Sequence, residues 1–170
     1  KEYVARALTI TTEIGDKSEE VLCYVNLSAV FQSLGQYDKA KEYLQTALVI
    51  TKEIDDKGGE AIVYEQLGTV YRFHGQYDKA KDYLQKALVI RTEIGDRKGE
   101  ATLYGNLGVV FQSLGQYHKA EEYLQKALVI TFQIGERKGE GMCYGNLGSV
   151  FESLGQFDKA IEYLEKALVI

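Results

Sequence analysis

One amide side chain recurs every forty residues: Asn26, Gln66, Asn106 and Asn146. An amide carries both a hydrogen-bond donor and an acceptor, so it can pair with the N–H and C=O of an extended peptide whatever that peptide's side chains are. One such group per repeat is a candidate reader of peptide backbone. The same groups would also serve to bridge neighbouring helices, and type and spacing leave both roles open. Beside two of them stand Gly105 and Gly145, inside segments whose pattern is helical. A mid-helix glycine costs about 0.5–1 kcal/mol relative to alanine. Close approach of a ligand backbone is one reason for it, and drift in a very stable array is another. Thr69, Arg72, Gln112 and Ser149 fall on the same face and complete the candidate site.

Little else in the chain could do chemistry. His74 and His118 have no cysteine or second histidine at ligand spacing. Cys23 and Cys143 lie far apart, form neither a metal nor a redox motif, and occupy the helix position of Val63 and Leu103, which reads as core. No Ser-His-Asp, Cys-His or phosphate-loop constellation is present. The expectation is a binding protein rather than an enzyme, with no catalytic residue, no metal and no cofactor. Two unpaired cysteines fit a reducing, cytoplasmic setting. A net charge of −5 without a basic face argues against a nucleic-acid partner. No apolar run approaches the length of a membrane span.

The elements that position these residues come from one repeated unit. "LGQYDKAKEYLQ" at Leu34 returns as "HGQYDKAKDYLQ" at His74, "LGQYHKAEEYLQ" at Leu114 and "LGQFDKAIEYLE" at Leu154, a period of forty without slippage. Within each unit apolar residues trace two helical stripes, as at Tyr104, Leu107, Phe111 and Leu114, then at Tyr117, Ala120, Leu124 and Ala127. Gly115 ends the first helix and Gly95 or Gly135 the second. Asp16 and Asp96 suit N-caps. The pattern predicts helix pairs at 19–33 with 37–54, 59–73 with 77–94, 99–113 with 117–134, and 139–153 with 157–170, behind a leading helix in residues 1–14. The domain reading is a single array over 1–170, with repeats at 19–54, 59–94, 99–134 and 139–170, the last truncated. Asp82–Lys86, Glu122–Lys126 and Glu162–Lys166 are i, i+4 pairs expected on the solvated face. A hairpin this small cannot bury its own stripes, whereas stacked hairpins can, so the fold class is an all-α solenoid. Apolar residues such as Ile161, Leu164 and Leu168 near the end of the array predict self-association through the array's ends.

The spacing of Tyr104, Leu107, Gly108, Phe111, Ala120, Leu124 and Ala127, repeated in register in the other copies, resembles the tetratricopeptide repeat. The 40-residue period, the "GNLG" segment and "GD" in the turn are similar to the repeats of LGN/Pins-type adaptors. The resemblance implies a concave surface lined by the first helix of each pair, holding an extended protein or peptide partner. It also implies that Gly68, Gly108, Gly148 and Ser28 are small because two helices approach there, facing Ala80, Ala120, Ala160 and Ala40. The family's carboxylate-clamp positions hold Val25, Glu65, Gly105 and Gly145, then Ala29, Thr69, Val109 and Ser149, so that clamp is absent. Arg72 is the single groove cation on this reading. The alternatives are a self-associating array without a dedicated ligand and a regulatory domain that senses a signalling peptide.

Overall fold

The computed structural model of the chain describes Arg6 and residues 14–170. Apart from Arg6 and Ile14, the expected leading helix lies outside the described residues. Among the described residues all regular structure is α-helical. From Lys17 onward the helices are α1 (Lys17–Ser33), α2 (Tyr37–Glu53), α3 (Lys57–Phe73), α4 (Tyr77–Glu93), α5 (Arg97–Ser113), α6 (Tyr117–Ile134), α7 (Arg137–Ser153) and α8 (Phe157–Leu168). They fall into two compact units, the first ending at Ile90 and the second beginning at Arg91. In the first unit α1 packs on α2, and α2 on α3; in the second α5 packs on α6, α6 on α7, and α7 on α8. Each unit is thus a stack of helical hairpins in the all-α manner of a repeat solenoid.

The odd-numbered helices begin two residues earlier than the pattern predicts, and their caps explain why. Asp16, Asp56 and Asp96 accept hydrogen bonds from the backbone N–H groups of Glu19, Gly59 and Gly99 at 3.1, 2.8 and 2.9 Å, and Glu136 accepts one from Gly139. Each satisfies an amide that the first turn would otherwise leave without a partner. Gly59 and Gly99, the predicted first residues of their helices, are the third residues instead. At Gly59 and Gly99 an added Cβ would lie 2.3 and 2.5 Å from the capping carboxylate.

Hydrophobic burial holds each hairpin together. Leu27, Leu44, Leu67 and Leu84 in the first unit, and Leu107, Leu124 and Leu147 in the second, are buried. Each such side chain contributes about 1.5–3 kcal/mol relative to exposure. The second tyrosine stripe packs between two rings of its partner helix: Tyr43 against Tyr24 and Phe31, Tyr123 against Tyr104 and Phe111. At Gly68, Gly108 and Gly148 an added Cβ would lie 2.7, 2.6 and 2.7 Å from Leu84, Leu124 and Leu164, with the carbonyls of Ala80, Ala120 and Ala160 next. Close helix approach accounts for these glycines, and the leucine is the nearer neighbour rather than the alanine.

Glu122–Lys126 and Glu162–Lys166 form at 2.6 and 2.5 Å. The bonds to the two lysines hold both carboxyls below their ordinary pKa. The expected Asp82–Lys86 pair does not form. Lys86 instead lies over the rings of Tyr83 and Tyr64, while the shorter Asp82 side chain sits 4.0 Å from Lys81. A buried glutamate that the pattern did not single out recurs in the first turn of each odd helix. Glu20, Glu60, Glu100 and Glu140 pair with Lys17, Lys57, Arg97 and Arg137 three residues earlier.

Candidate functional site

In the second unit, α5 and α7 carry the candidate residues on their unpacked face. Gly105 and Gly145 both face open space: a Cβ added at either would meet nothing within 4 Å. Packing therefore gives no reason for glycine there. The neighbouring amides Asn106 and Asn146 are half-buried, not fully exposed as a free row of amides would be. Both line one cavity of about 260 Å³ between α5, α7 and the end of α6. Its apolar wall comes from Ala101, Ile134 and Met142, the last 62% exposed. Its charged lining comes from Lys98, Lys138 and Glu136. Farther along the same helices Gln112 donates to Ser149 at 3.1 Å. Those two candidate residues are engaged with each other and tie α5 to α7.

The first unit presents a different surface. Gln66 and Thr69 line a more open cavity of about 520 Å³ with Gln32, Tyr37 and Phe73, toward the opposite end of α1 and α3. The Thr69 hydroxyl donates to the Glu65 carbonyl at 3.1 Å, and the Arg72 guanidinium lies over the Phe73 ring at 4.3 Å from its centroid. Asn26 is exposed on α1 and does not line that cavity.

The cations of the second unit's cavity were missed by the pattern, which took Arg72 as the single groove cation. Lys98 and Lys138 precede the predicted helix starts at 99 and 139, so they read as loop residues. With Asp96 and Glu136 as N-caps they belong to the first turn and line the cavity. The signal was present in the acid two residues before each lysine.

Cys143, on the cavity's lining, is buried, and burial pushes its thiol up to about 11 from an ordinary value near 9, against a smaller opposing hydrogen bond to Thr131. A thiol so raised is not a nucleophile at neutral pH. His74 stacks on Tyr37 at 5.1 Å between centroids, with Lys41 and Gln76 within 3.4 and 3.2 Å of its Nδ1. Among the described residues no three metal-ligating side chains come together. No helix there is long and apolar enough to cross a membrane. The cavity thus brings together two amides, an apolar wall and two lysines.

Solved structures share this fold. BtubC (BKLC) from P. vanneervenii superposes with a TM-score of 0.79 at 24% identity over 89% of this chain and 63% of its own. Aspartyl phosphate phosphatase F from Bacillus subtilis gives 0.89 at 20% identity over 99% of this chain and 44% of its own. The nearly identical TPR-like repeats of a Podosopora anserina protein give 0.76 at 19% identity over 99% and 83%. The chain thus spans less than two thirds of the first and second of these. No curated protein matches the chain by sequence. The family model of the tetratricopeptide repeat matches at residues 19–93, 59–131 and 99–170. With hairpins packed in register and matches that together run from residue 19 to residue 170, the chain belongs to the tetratricopeptide repeat family.

Proposed function

We propose that this chain is a protein-binding module that holds an extended partner segment along the open face of its odd-numbered helices. The observation that carries the reading is the pair Gly105 and Gly145. Each forgoes helix stability with no packing reason, and each adjoins an amide that lines the cavity. An extended backbone needs such an open strip and such amides. The 40-residue period and "GNLG" segment support an adaptor role of the LGN/Pins kind. Residues 1–170 are read as one array, acting in the cytoplasm without cofactor or catalysis.

The test is selection of peptides from a displayed library on the purified chain, followed by Asn106→Ala with Asn146→Ala. The pair should lose about 1–3 kcal/mol of affinity for a selected peptide, about one hydrogen-bond contribution per site. Its thermal midpoint should hold. A midpoint that drops while affinity stays assigns the amides to structure and ends the reading.

A further inference from the structure

We infer that the cavity of the second unit receives an acidic side chain of the bound segment; this rests on the groove reading above. The chain as a whole is acidic, at −5, yet two lysines line this cavity. Other cations near these helix starts are neutralised. Arg91 pairs with Asp96 at 2.7 Å, Arg97 with Glu100 at 2.6 Å and Arg137 with Glu140 at 3.5 Å. Lys98 and Lys138 are exposed and make no ion pair among the described residues. The one carboxylate on the cavity's lining, Glu136, is committed to capping α7 through the Gly139 N–H. Two lysines line the cavity against one carboxylate, with which neither pairs, and this excess of positive charge is complementary to a carboxylate.

The register of the first unit sharpens the assignment. Ser18 and Gly58 stand where the second unit has Lys98 and Lys138. The positive lining therefore belongs to one unit and is not a by-product of the repeat. The carboxylate is a side chain rather than a chain terminus. Gly145 also faces open space but lies outside the cavity's lining, so there is room beside the cavity for a backbone that continues past it. Ala101, Ile134 and Met142 supply the wall against which an aliphatic neighbour of the acidic residue rests. The occupant is an extended segment with Asp or Glu close to an aliphatic residue.

The test selects displayed ten-residue peptides on the wild-type chain, then measures the best of them, synthesised with an amidated C-terminus, on the Lys98→Ser/Lys138→Ser variant. Serine is what the first unit carries at one of these registers, at an exposed helix start, so the variant folds. Acidic peptides should be enriched. Their affinity should fall about tenfold on the variant, the sum of two solvent-exposed charge pairs, and should fall with added salt. The same peptide with its acidic residue changed to the amide should bind both proteins alike. Peptides without acidic residues that bind the variant undiminished would overturn the inference, and Asn106→Ala with Asn146→Ala would still report on the groove. Binding that needs a free C-terminus would overturn it too. A library that yields no binder fails the groove reading and this inference together.

Discussion

In the first unit Ser28 holds the register that Gly108 and Gly148 hold in the second, and its buried hydroxyl has no hydrogen-bond partner. Asp55 holds the left-handed turn position, at φ 54, that Gly95 and Gly135 fill at φ 72 and 69. Along the open helix face the relation reverses. The first unit has ordinary helix residues, Val25 and Glu65, where the second has Gly105 and Gly145. The first unit thus departs from the repeat where departure strains its own packing. The second departs chiefly along its open face, with one internal exception: Arg91, where Thr51 and Thr131 hold the register, has a buried Nε without a hydrogen-bond partner. A departure inside a contact has an internal cost and needs no ligand to explain it. A departure into open space lowers helix stability without any internal return; the ligand backbone proposed above is one reason for it, and drift in a very stable array is the other.

The sharpest way to break this contrast is to place side chains on two glycines three residues apart in α5. Gly108→Val should lose about 1–3 kcal/mol, because its added methyls would be forced against Leu124. Gly105→Ala should gain about 0.5–1 kcal/mol from helix propensity alone. Denaturant midpoints at unchanged m-value would measure both. Equal signs would mean that the two glycines do not differ in kind.

A smaller effect tests the internal side. Ser28→Ala removes a buried hydroxyl without a partner and leaves the Cβ in place. It should stabilise by about 1 kcal/mol, the lower end of the cost of an unsatisfied polar group. A thermal midpoint that falls in the Ser28→Ala variant would show that the hydroxyl is satisfied in solution, and the first unit would lose one of its two exceptions.

The hairpins, their order and the close-packed glycines were legible because each is written several times in register. The apolar period agrees in every copy and the turn glycine in every copy but the one with Asp55, and tertiary packing had nothing to override. What stayed hidden depends on where one helix begins. The pattern starts α3 at Gly59, and only the bond from the Gly59 N–H to the Asp56 carboxylate shows that the first turn already includes Lys57 and Gly58. That two-residue difference concealed Lys98 and Lys138, and with them the charge of the cavity. The Gln112–Ser149 bond was hidden for another reason: it joins residues 37 apart, and its existence depends on how α5 and α7 sit side by side. The amide register was visible, but its half-burial was not, since burial belongs to the neighbours rather than to the residue.

The smallest expected effect concerns Asp55. A non-glycine residue in the left-handed region costs roughly 1–2 kcal/mol, and less for aspartate, whose short polar side chain makes local hydrogen bonds. Asp55→Gly relieves that strain but enlarges the conformational freedom of the unfolded chain, which offsets roughly 0.5–1 kcal/mol. The net gain should be a few tenths of a kcal/mol, a small upward shift in midpoint. Asp55→Ala keeps the strain and loses the polar side chain, so it should fall below wild type by about 1 kcal/mol. The order Gly, Asp, Ala from most to least stable would place the turn of the first unit under the same backbone rule as Gly95 and Gly135. If alanine matched glycine, φ 54 would not be what this position demands in solution, and the two units would differ less in their turns than in their open faces.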